Sequence, residues 1–548
     1  MVHALAGKPV QEQDIIDVQT IVDAYFDNVP DVTNPTQLVS FGTSGHRGTS
    51  VDGTFTDLHV AAITQAICDG RKQFGATGPI FVGQDTHALS QPALVTVLEV
   101  LAGNGVTAMV DCDMDFVPTP SVSRAIIRYN EEHDDKADGI IITPSHNPPD
   151  NGGIKYNTII GGPADTVVTK WIEMRANEYL TAYCESEDFK RISIDNIEPT
   201  AQVPYDYKGL YVEELGDVIN MEAIKAAGPK VLVDTLGGSG ASYWNAIKER
   251  YGLDLTIIHD DYDPTFSFMT YDHDGKVRMD CSSTYVMASV INRIGDFDLA
   301  VGNDPDYDRY GIVVSSGLIS ANTFLTLAAR YLFTTRGWKN KGVGKTVVCT
   351  TMIDKWAADA ETPVFEVPVG FKYFSQLLFD GAIGIGGEES AGASFLKKDG
   401  TVWTTDKDGM IMALLSMEIM AVMGKSALKM ADESLEEFGN PSFGRIDAPC
   451  KKEQKQILKQ MSAELITATT VDGDPITNIR TTSLYNDMPI DGVRVETDKG
   501  WFVARPSGTE DLYKIYGESY KGDLGLVALL TAGEEIVNAA LNGTIETE

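Results

Sequence analysis

PIFVGQDTHALSQPALVTVLEVLAGNGVTAMV, residues 79–110, reads as strand, helix, strand: the short apolar runs PIFVG and VTAMV flank a helical segment. The alternation extends across 58–143 and reaches GIIIT (139–143). Short buried strands separated by helices are the mark of α/β layers around a mostly parallel sheet. The same alternation recurs in VLVD (231–234), LTIIH (255–259), FDLAVG (297–302), TVVCTT (346–351) and AIGIG (382–386), so several doubly wound units follow one another. The last hundred residues change character. VRVET, WFVAR and KIYGES read as strands before a helix expected over 524–541, an α+β pattern.

A chain of 548 residues suits three to four domains at about 150 residues each. The charged, proline-containing stretch 185–208 places the first boundary near 204, and further breaks fall near 316 and 440. The expected domains are 1–204, with an N-terminal tail and an amphipathic helix over 14–26, then 205–316, 317–440 and 441–548. Forty-four basic against 79 acidic residues give a net charge of −35, which disfavours generic binding to nucleic acid or an anionic membrane. An anionic substrate must then be captured by a few convergent Arg and Lys side chains. The six cysteines include no CxxC pair and read as free buried thiols. MVHALAGKPVQEQD lacks the basic and apolar regions of a signal peptide, and no run approaches about 18 apolar residues. A cytoplasmic location with no membrane span is expected.

Ligands of α/β sheets bind beyond the carboxyl ends of strands. Four polar loops directly follow apolar runs there: Pro144–Pro149, Asp304–Arg309, Gly387–Ser390 and Arg505–Glu510. One loop falls in each expected domain, so a shared site would be assembled between lobes. Asp304, Asp306 and Asp308 lie on one side of an extended segment. At roughly 5 Å and an effective dielectric near 20, each carboxylate pair repels by about 3 kcal/mol, so the triad calls for a cation. A calcium loop fails because Arg309 and Ser315 occupy the positions of its glycine and bidentate glutamate. A solvated Asp-rich turn is the alternative, and Arg309, a fixed cation suited to an anionic substrate, favours the site.

Ser145 sits in a proline-stiffened loop and reads either as a turn or cap, or as a hydroxyl whose phosphoryl group would complement a cation on the triad. Lys155 follows in NGGIKYN. RPSGTE has the form of an anion pocket, with Arg505, the hydroxyls of Ser507 and Thr509, and Gly508 leaving backbone amides accessible. Taken alone it is equally a polar turn. Glu388 and Ser390 in GEES suit sugar hydroxyls, yet acidic turns are common. GVGKT (342–346) lacks the first glycine of a phosphate loop and precedes its strand, and LGGSG (236–240) has Tyr243 where a dinucleotide fingerprint needs glycine. Of the eight histidines only His46 and His146 fall in candidate loops.

FGTSGHRG (41–48), TPSHNPPDNGGIKYN (143–157), NDPDYDR (303–309), VPVGFK (367–372), GGEESAGASF (386–395) and ARPSGTEDLYKIY (504–516) together resemble the α-D-phosphohexomutase superfamily, most closely its bacterial phosphoglucomutase branch. The resemblance runs over nearly the whole chain in family order. It implies a heart-shaped, four-domain architecture of three doubly wound α/β domains and a smaller C-terminal α+β domain. It implies that Ser145, beside the sugar-contacting His146, carries the phosphoryl group, and that Asp304, Asp306 and Asp308 hold Mg²⁺ together with a phosphoserine oxygen. Arg47 and Arg309 match residues near the transferring group; Gly370, Phe371 and Lys372 match the loop that reads sugar orientation. Glu388 and Ser390 match sugar contacts, and Arg505, Ser507, Gly508 and Thr509 match the pocket for the non-reacting phosphate.

Lys155 and Lys407 match the acid and base candidates. A second KDG at Lys398 lacks the apolar helix that follows Lys407, and Ala393 stands where some relatives carry a histidine. The implied reaction interconverts α-D-glucose 1-phosphate and glucose 6-phosphate through glucose 1,6-bisphosphate, which is both intermediate and activator. The rivals are a phosphomannomutase or dual-specificity hexomutase, a metal-dependent phosphatase and a non-catalytic phosphosugar sensor. The partner is a small phosphosugar. A homodimer is compatible with the resemblance, although no apolar patch or coiled-coil repeat establishes one.

Overall fold

The computed structural model describes residues 2–42, 45–184, 190–506 and 512–545. They form two compact units: one comprises the chain up to Ser320 with Ser375–Gly381 and Ser390–Leu428, and the other Ala321–Phe374, Ala382–Glu389 and the chain from Lys429.

The first sheet of the first unit contains β1 (His46–Thr49), β2 (Ile80–Gln84), β3 (Ala108–Asp111), β4 (Asp138–Ile142), β5 (Asn151–Asn157) and β6 (Gln202–Tyr205), in the order β1-β5-β4-β2-β3-β6. β2 and β4 are parallel and buried along their whole length, as strands covered on both faces must be. Ile80 and Val82 face a core shared with the helices Asp57–Gly70 and Ser90–Gly103, while Phe81 faces the helix Thr119–Glu132. β5 returns antiparallel to β4, so the loop carrying Ser145 is the bend of a hairpin at the carboxyl edge of the sheet. β1 pairs antiparallel with β5 and sets Arg47 opposite Gly153.

The second sheet contains β7 (Val231–Asp234), β8 (Leu255–Ile258), β9 (Leu299–Asn303), β10 (Tyr310–Val314) and β11 (Gly317–Leu318), in the order β11-β10-β9-β7-β8. β9 and β10 form an antiparallel hairpin whose connection is the aspartate loop. The N-terminal tail packs on this second core rather than leading into the first. Gly7 N donates to Tyr271 O (2.8 Å), Val10 N donates to Met269 O (3.0 Å), and Leu5 and Val10 pack among the core residues. The helix expected over 14–26 runs over Val18–Asp27, because the Asp17 carboxylate caps it by accepting from Gln19 N.

In the second unit β12 (Gly342–Thr346), β13 (Val364–Val367) and β14 (Ile383–Gly387) run parallel in the order β13-β12-β14; β15 (Ala393–Phe395), next in the chain, belongs to the first unit. GVGKT is itself the strand. VVCTT, expected to be one, turns away, with Cys349 N donating to Thr346 O (3.0 Å). The C-terminal sheet contains β16 (Ser442–Pro449), β17 (Thr470–Val471), β18 (Asp474–Thr482), β19 (Pro489–Thr497), β20 (Gly500–Pro506) and β21 (Leu512–Ser519). It is antiparallel in the order β16-β21-β20-β19-β18-β17. One face carries the helix Gly522–Ile545 through Leu529, Leu530, Val537 and Leu541, and on the other Trp501, Val503 and Tyr516 cluster with Val347 and Val348. Over Gly522–Asn542 that helix is long and apolar enough to cross a membrane by length and composition, contrary to the count of uninterrupted apolar runs; its apolar residues contribute to the C-terminal core.

Candidate active site

Ser145 is buried at φ 60°, a left-handed conformation that costs a non-glycine residue about 1–3 kcal/mol and persists only where its surroundings enforce it. Its backbone N donates to Thr143 Oγ1 (2.7 Å), and its own Oγ donates to Asp304 Oδ2 (3.0 Å) and lies 3.3 Å from His146 Nδ1. A hydroxyl 159 positions away in the chain is thus set against the first aspartate of the triad.

Asp304, Asp306 and Asp308 are fully buried, and each offers a carboxylate oxygen within 4.8 Å of the others. The loop does not gather them by being extended, as their spacing suggested. It turns, with Tyr307 at φ 62° and Tyr307 N donating to Asp304 O (2.9 Å). LGGSG supports this turn: Ser239 N and Oγ both donate to Pro305 O at 2.8 Å, and a Cβ on Gly238 would fall 2.7 Å from Pro305 Cα. Its glycines serve close packing against the aspartate loop.

Lys155, Lys407 and Arg309 lie against these carboxylates, and the charge of Arg47 also acts on all three. Lys155 Nζ lies 2.6 Å from Asp306 Oδ2 and 3.2 Å from Asp308 Oδ2, and Lys407 Nζ lies 2.9 Å from Asp308 Oδ2. Arg309 Nη1 reaches Asp280 Oδ2 (3.3 Å), while its backbone N donates to Asp304 Oδ1 (2.9 Å). Burial, reinforced by repulsion from Asp306 and Asp308, pushes the Asp304 carboxyl well above the ordinary range. Burial acts on Asp308 in the same direction, but Lys407, Lys155 and Arg309 outweigh it and hold that carboxyl low. Lys155 is the mirror case: burial disfavours its ammonium, and Asp306 and Asp308 more than restore it. Asp306 Oδ1 and Asp308 Oδ1 are buried with no hydrogen-bond partner among the described residues. A hard, oxygen-seeking divalent cation fits such a donor set.

Gly409 shows why the KDG at 407 joins the site. Its N donates to Tyr307 O (2.9 Å), and a Cβ there would meet Arg309 O at 2.0 Å. Asp408 caps the following helix, Gly409–Met423, by accepting from Ile411 N. The KDG at Lys398 is an exposed turn. Arg47 Nη1 donates to Asn147 Oδ1 (3.2 Å), which brings its guanidinium to the serine loop. His146 stands beside Ser145, and burial together with Arg309 holds its imidazole neutral. Ser390 precedes a segment anchored to the aspartate loop, since Tyr310 N donates to Ala391 O (3.1 Å). His46 is a core residue that accepts from Ser40 N through Nδ1, donates to Thr54 O through Nε2 (2.9 Å) and stacks on His59.

The remaining candidates belong to the second unit. Gly370 (φ 133°), the buried Phe371 and Lys372 follow β13, and Glu388, also buried, follows β14. Glu389, not singled out in the sequence, accepts from Thr346 Oγ1 (3.2 Å); burial raises its carboxyl against the pull of Arg505 and Arg445. Arg505 lies on β20 opposite Lys514 of β21, and its buried Nε finds no hydrogen-bond partner among the described residues. Ser507, Gly508 and Thr509 lie outside the described residues.

Sequence reading missed several supporting residues around Ser145 and the triad. Asp280 holds Arg309, Thr119 Oγ1 donates to Asp306 Oδ2 (2.9 Å), and Thr143 receives the Ser145 amide. None carries a local motif. For Thr119 and Thr143 the signal available was a short polar residue at the start of, or just beyond, a regular element, and Asp280 lies in an irregular segment with no such signal.

Four family models match the chain in order, all described as phosphoglucomutase/phosphomannomutase. They are α/β/α domain I over residues 38–182, domain II over 210–317, domain III over 320–438 and the C-terminal domain over 447–524. The chain belongs to this family of phosphotransferring isomerases, as its motifs led us to expect. It is 46% identical over 543 residues to a protein named phosphoglucomutase from Komagataeibacter xylinus, covering 98% of each chain. Among solved structures it is similar to Paramecium parafusin, a phosphoglucomutase, with a TM-score of 0.71 and 19% identity over 94% of this chain and 96% of that one. It also shares its fold with an Aspergillus fumigatus N-acetylphosphoglucosamine mutase described in complex with GlcNAc-6P and magnesium, at a TM-score of 0.52 and 15% identity over 96% and 99% of the two chains.

Proposed function

We propose that the protein is a phosphoglucomutase that interconverts α-D-glucose 1-phosphate and glucose 6-phosphate through glucose 1,6-bisphosphate, with Ser145 as the phosphoryl carrier. The observation that carries this reading is the buried Ser145 hydroxyl, 3.0 Å from a carboxylate of a triad that itself wants a cation. A phosphoserine carries about −1.5 to −2 charge. Asp304, Asp306, Asp308 and Asp280 already face Lys155, Lys407, Arg309 and Arg47, four carboxylates against four cations, so a phosphoryl group and a divalent ion would enter as a nearly neutral pair. Asp304, Asp306 and Asp308 would hold Mg²⁺. When bound, the ion supplies charge neutralisation of the phosphoryl oxygens.

In the forward half-reaction the P–Oγ bond of phosphoserine 145 breaks as a bond forms from phosphorus to the sugar's free hydroxyl, whose proton passes to a base, while Ser145 Oγ, the leaving oxygen, takes up a proton to become the hydroxyl again. Arg47 and Arg309 orient and neutralise the transferring group. Lys155, tied to two carboxylates and held as an ammonium, suits that electrostatic role better than a base's. Lys407, with one carboxylate partner instead of two, is the less constrained lysine and the candidate for proton transfer. Arg505, with Ser507, Gly508 and Thr509, receives the phosphate that is not reacting. Glu388 and Ser390 hold sugar hydroxyls, the loop Gly370–Lys372 reads the sugar's orientation, and His146 contacts the substrate near Ser145. The bisphosphate then turns end for end and its other phosphate returns to Ser145. We place the enzyme in the cytoplasm, acting on small phosphosugars.

The family description includes phosphomannomutases, so the deciding experiment is a coupled assay with glucose 1-phosphate and mannose 1-phosphate, with and without glucose 1,6-bisphosphate. Bisphosphate-stimulated turnover favouring glucose is expected. Equal or greater turnover of mannose, or release of inorganic phosphate without isomer, overturns the assignment.

A further inference from the structure

A second buried charge pair stands behind the serine loop, outside the residues given roles above. Asp85 and His87 follow β2, and each is 1% exposed. His87 Nδ1 lies 2.8 Å from Asp85 Oδ2, and its Nε2 lies 3.0 Å from the Asn147 carbonyl oxygen. Both partners are acceptors, so both ring nitrogens donate and the side chain is an imidazolium. Burial alone would drive the proton off His87, but the Asp85 carboxylate outweighs it, and that carboxyl is in turn held low by His87 against its own burial. Asp85 also accepts from Ser90 Oγ (2.6 Å) and Thr143 Oγ1 (2.5 Å). With its one hydrogen given to Asp85, Thr143 Oγ1 is fixed as the acceptor for Ser145 N.

One carboxylate therefore carries two struts. The first runs Asp85–Thr143–Ser145 N and enters the loop at the serine itself; the second runs Asp85–His87–Asn147 O and enters two residues later. Between them Ser145 is held at φ 60°. Asn147 is also the residue whose side chain receives Arg47. We infer that the Asp85–His87 ion pair is a positioning unit that braces the serine loop from both sides and so sets Ser145 Oγ, and with it the phosphoryl group, against the aspartate triad. The functional part of this inference rests on the mutase reading of Ser145, while the mechanical part does not.

The test uses the full-length protein with His87→Gln and Thr143→Val. Glutamine presents one donor end and one acceptor end, so it can serve only one of the two acceptors His87 now serves. Valine keeps the shape of Thr143 and deletes the hydroxyl. In amide hydrogen exchange, each variant is expected to lose protection at residues 145–147 while the helix Asp57–Gly70 exchanges as in the parent protein. In turnover with glucose 1-phosphate and bisphosphate, kcat per phosphorylatable Ser145 is expected to fall on the order of ten- to hundredfold, with KM within about twofold. The double variant should cost less than the product of the singles, because both cut one brace. Unchanged exchange at 145–147 in folded His87→Gln and Thr143→Val overturns the brace, and so does unchanged kcat alongside lost protection. A parent protein with no mutase turnover would refute the mutase reading instead, and the exchange comparison would still decide whether the loop is braced.

Discussion

Lys155→Met removes the one ammonium among the described residues that touches two members of the triad. Lys155 Nζ is 2.6 Å from Asp306 Oδ2 and 3.2 Å from Asp308 Oδ2, and all three side chains are at most 5% exposed. At an effective dielectric near 20 those attractions amount to ~6 and ~5 kcal/mol. Most of that is offset by the desolvation of the buried charges, so deleting one partner should cost about 3–5 kcal/mol. Methionine retains the apolar stem and leaves Asp306 and Asp308 with the charges of Lys407, Arg309 and Arg47 but without the ammonium that touches both. The site then carries excess negative charge, which a divalent cation can relieve. The assay is thermal unfolding in EDTA and in millimolar Mg²⁺, followed by a probe in the first unit and compared as midpoints, because a chain of several domains need not unfold in one step. In EDTA the variant should melt roughly 6–10 °C below the parent, at about 2 °C per kcal/mol for a large unit. Mg²⁺ should raise the variant's midpoint by more than it raises the parent's. A variant within about 2 °C of the parent in EDTA, or one that gains no more from Mg²⁺, would refute the charge-balance argument.

Burial pushes the Asp408 carboxyl up from 3.8 to about 6, against hydrogen bonds from Trp403, Tyr211 and Ile411. The folded protein holds that proton more tightly than the unfolded chain does, so the stabilisation is complete below pH 3.8 and is lost as pH rises through about 6, in total about 3 kcal/mol. Asp408→Asn should flatten denaturation free energy against pH across that window, and a parent-like slope would count against it. Arg505→Gln should raise KM for glucose 1-phosphate at least tenfold while leaving the thermal midpoint within a few degrees; an unchanged KM removes Arg505 from the phosphate pocket. Because the cations around the triad already balance its carboxylates, Mg²⁺ measured by calorimetry should bind the dephosphorylated protein tenfold or more weakly than the phosphoserine form, and equal affinities would contradict paired entry.

The candidate site was legible where its residues are contiguous and follow an apolar run. Ser145 after GIIIT and the aspartates after FDLAVGN sit beyond the carboxyl ends of strands, where an α/β sheet presents its loops, and Arg505 after WFVA sits near the end of a strand of the antiparallel C-terminal sheet. The choice of Lys407 over Lys398 was legible too, because an apolar helix follows only the first, and the structure adds the reason that Gly409 is needed for close approach to Arg309. The supports were not legible. Asp85, His87 and Thr119 reach the serine and aspartate loops by tertiary contacts 58 to 187 positions apart in the chain, and nothing in a local pattern encodes such distances. The β-branched VVCTT outranked GVGKT as a strand on propensity, yet the glycines are what the buried strand needs: a Cβ on Gly342 would meet Phe365 at 2.2 Å. The N-terminal tail, polar and short, carried no signal that it would pack on the second core.

The central claim is that Ser145 carries the phosphoryl group between the two ends of a sugar. The direct measurement is to load the full-length protein with glucose 1,6-bisphosphate labelled in its phosphates, map the label by peptide mass spectrometry, and chase with unlabelled glucose 1-phosphate. The label is expected on the peptide containing Ser145 and should pass quantitatively to bisphosphate and glucose 6-phosphate during the chase, and Ser145→Ala should take up none. Label on another residue, label released only as inorganic phosphate, or full mutase turnover by Ser145→Ala would contradict it.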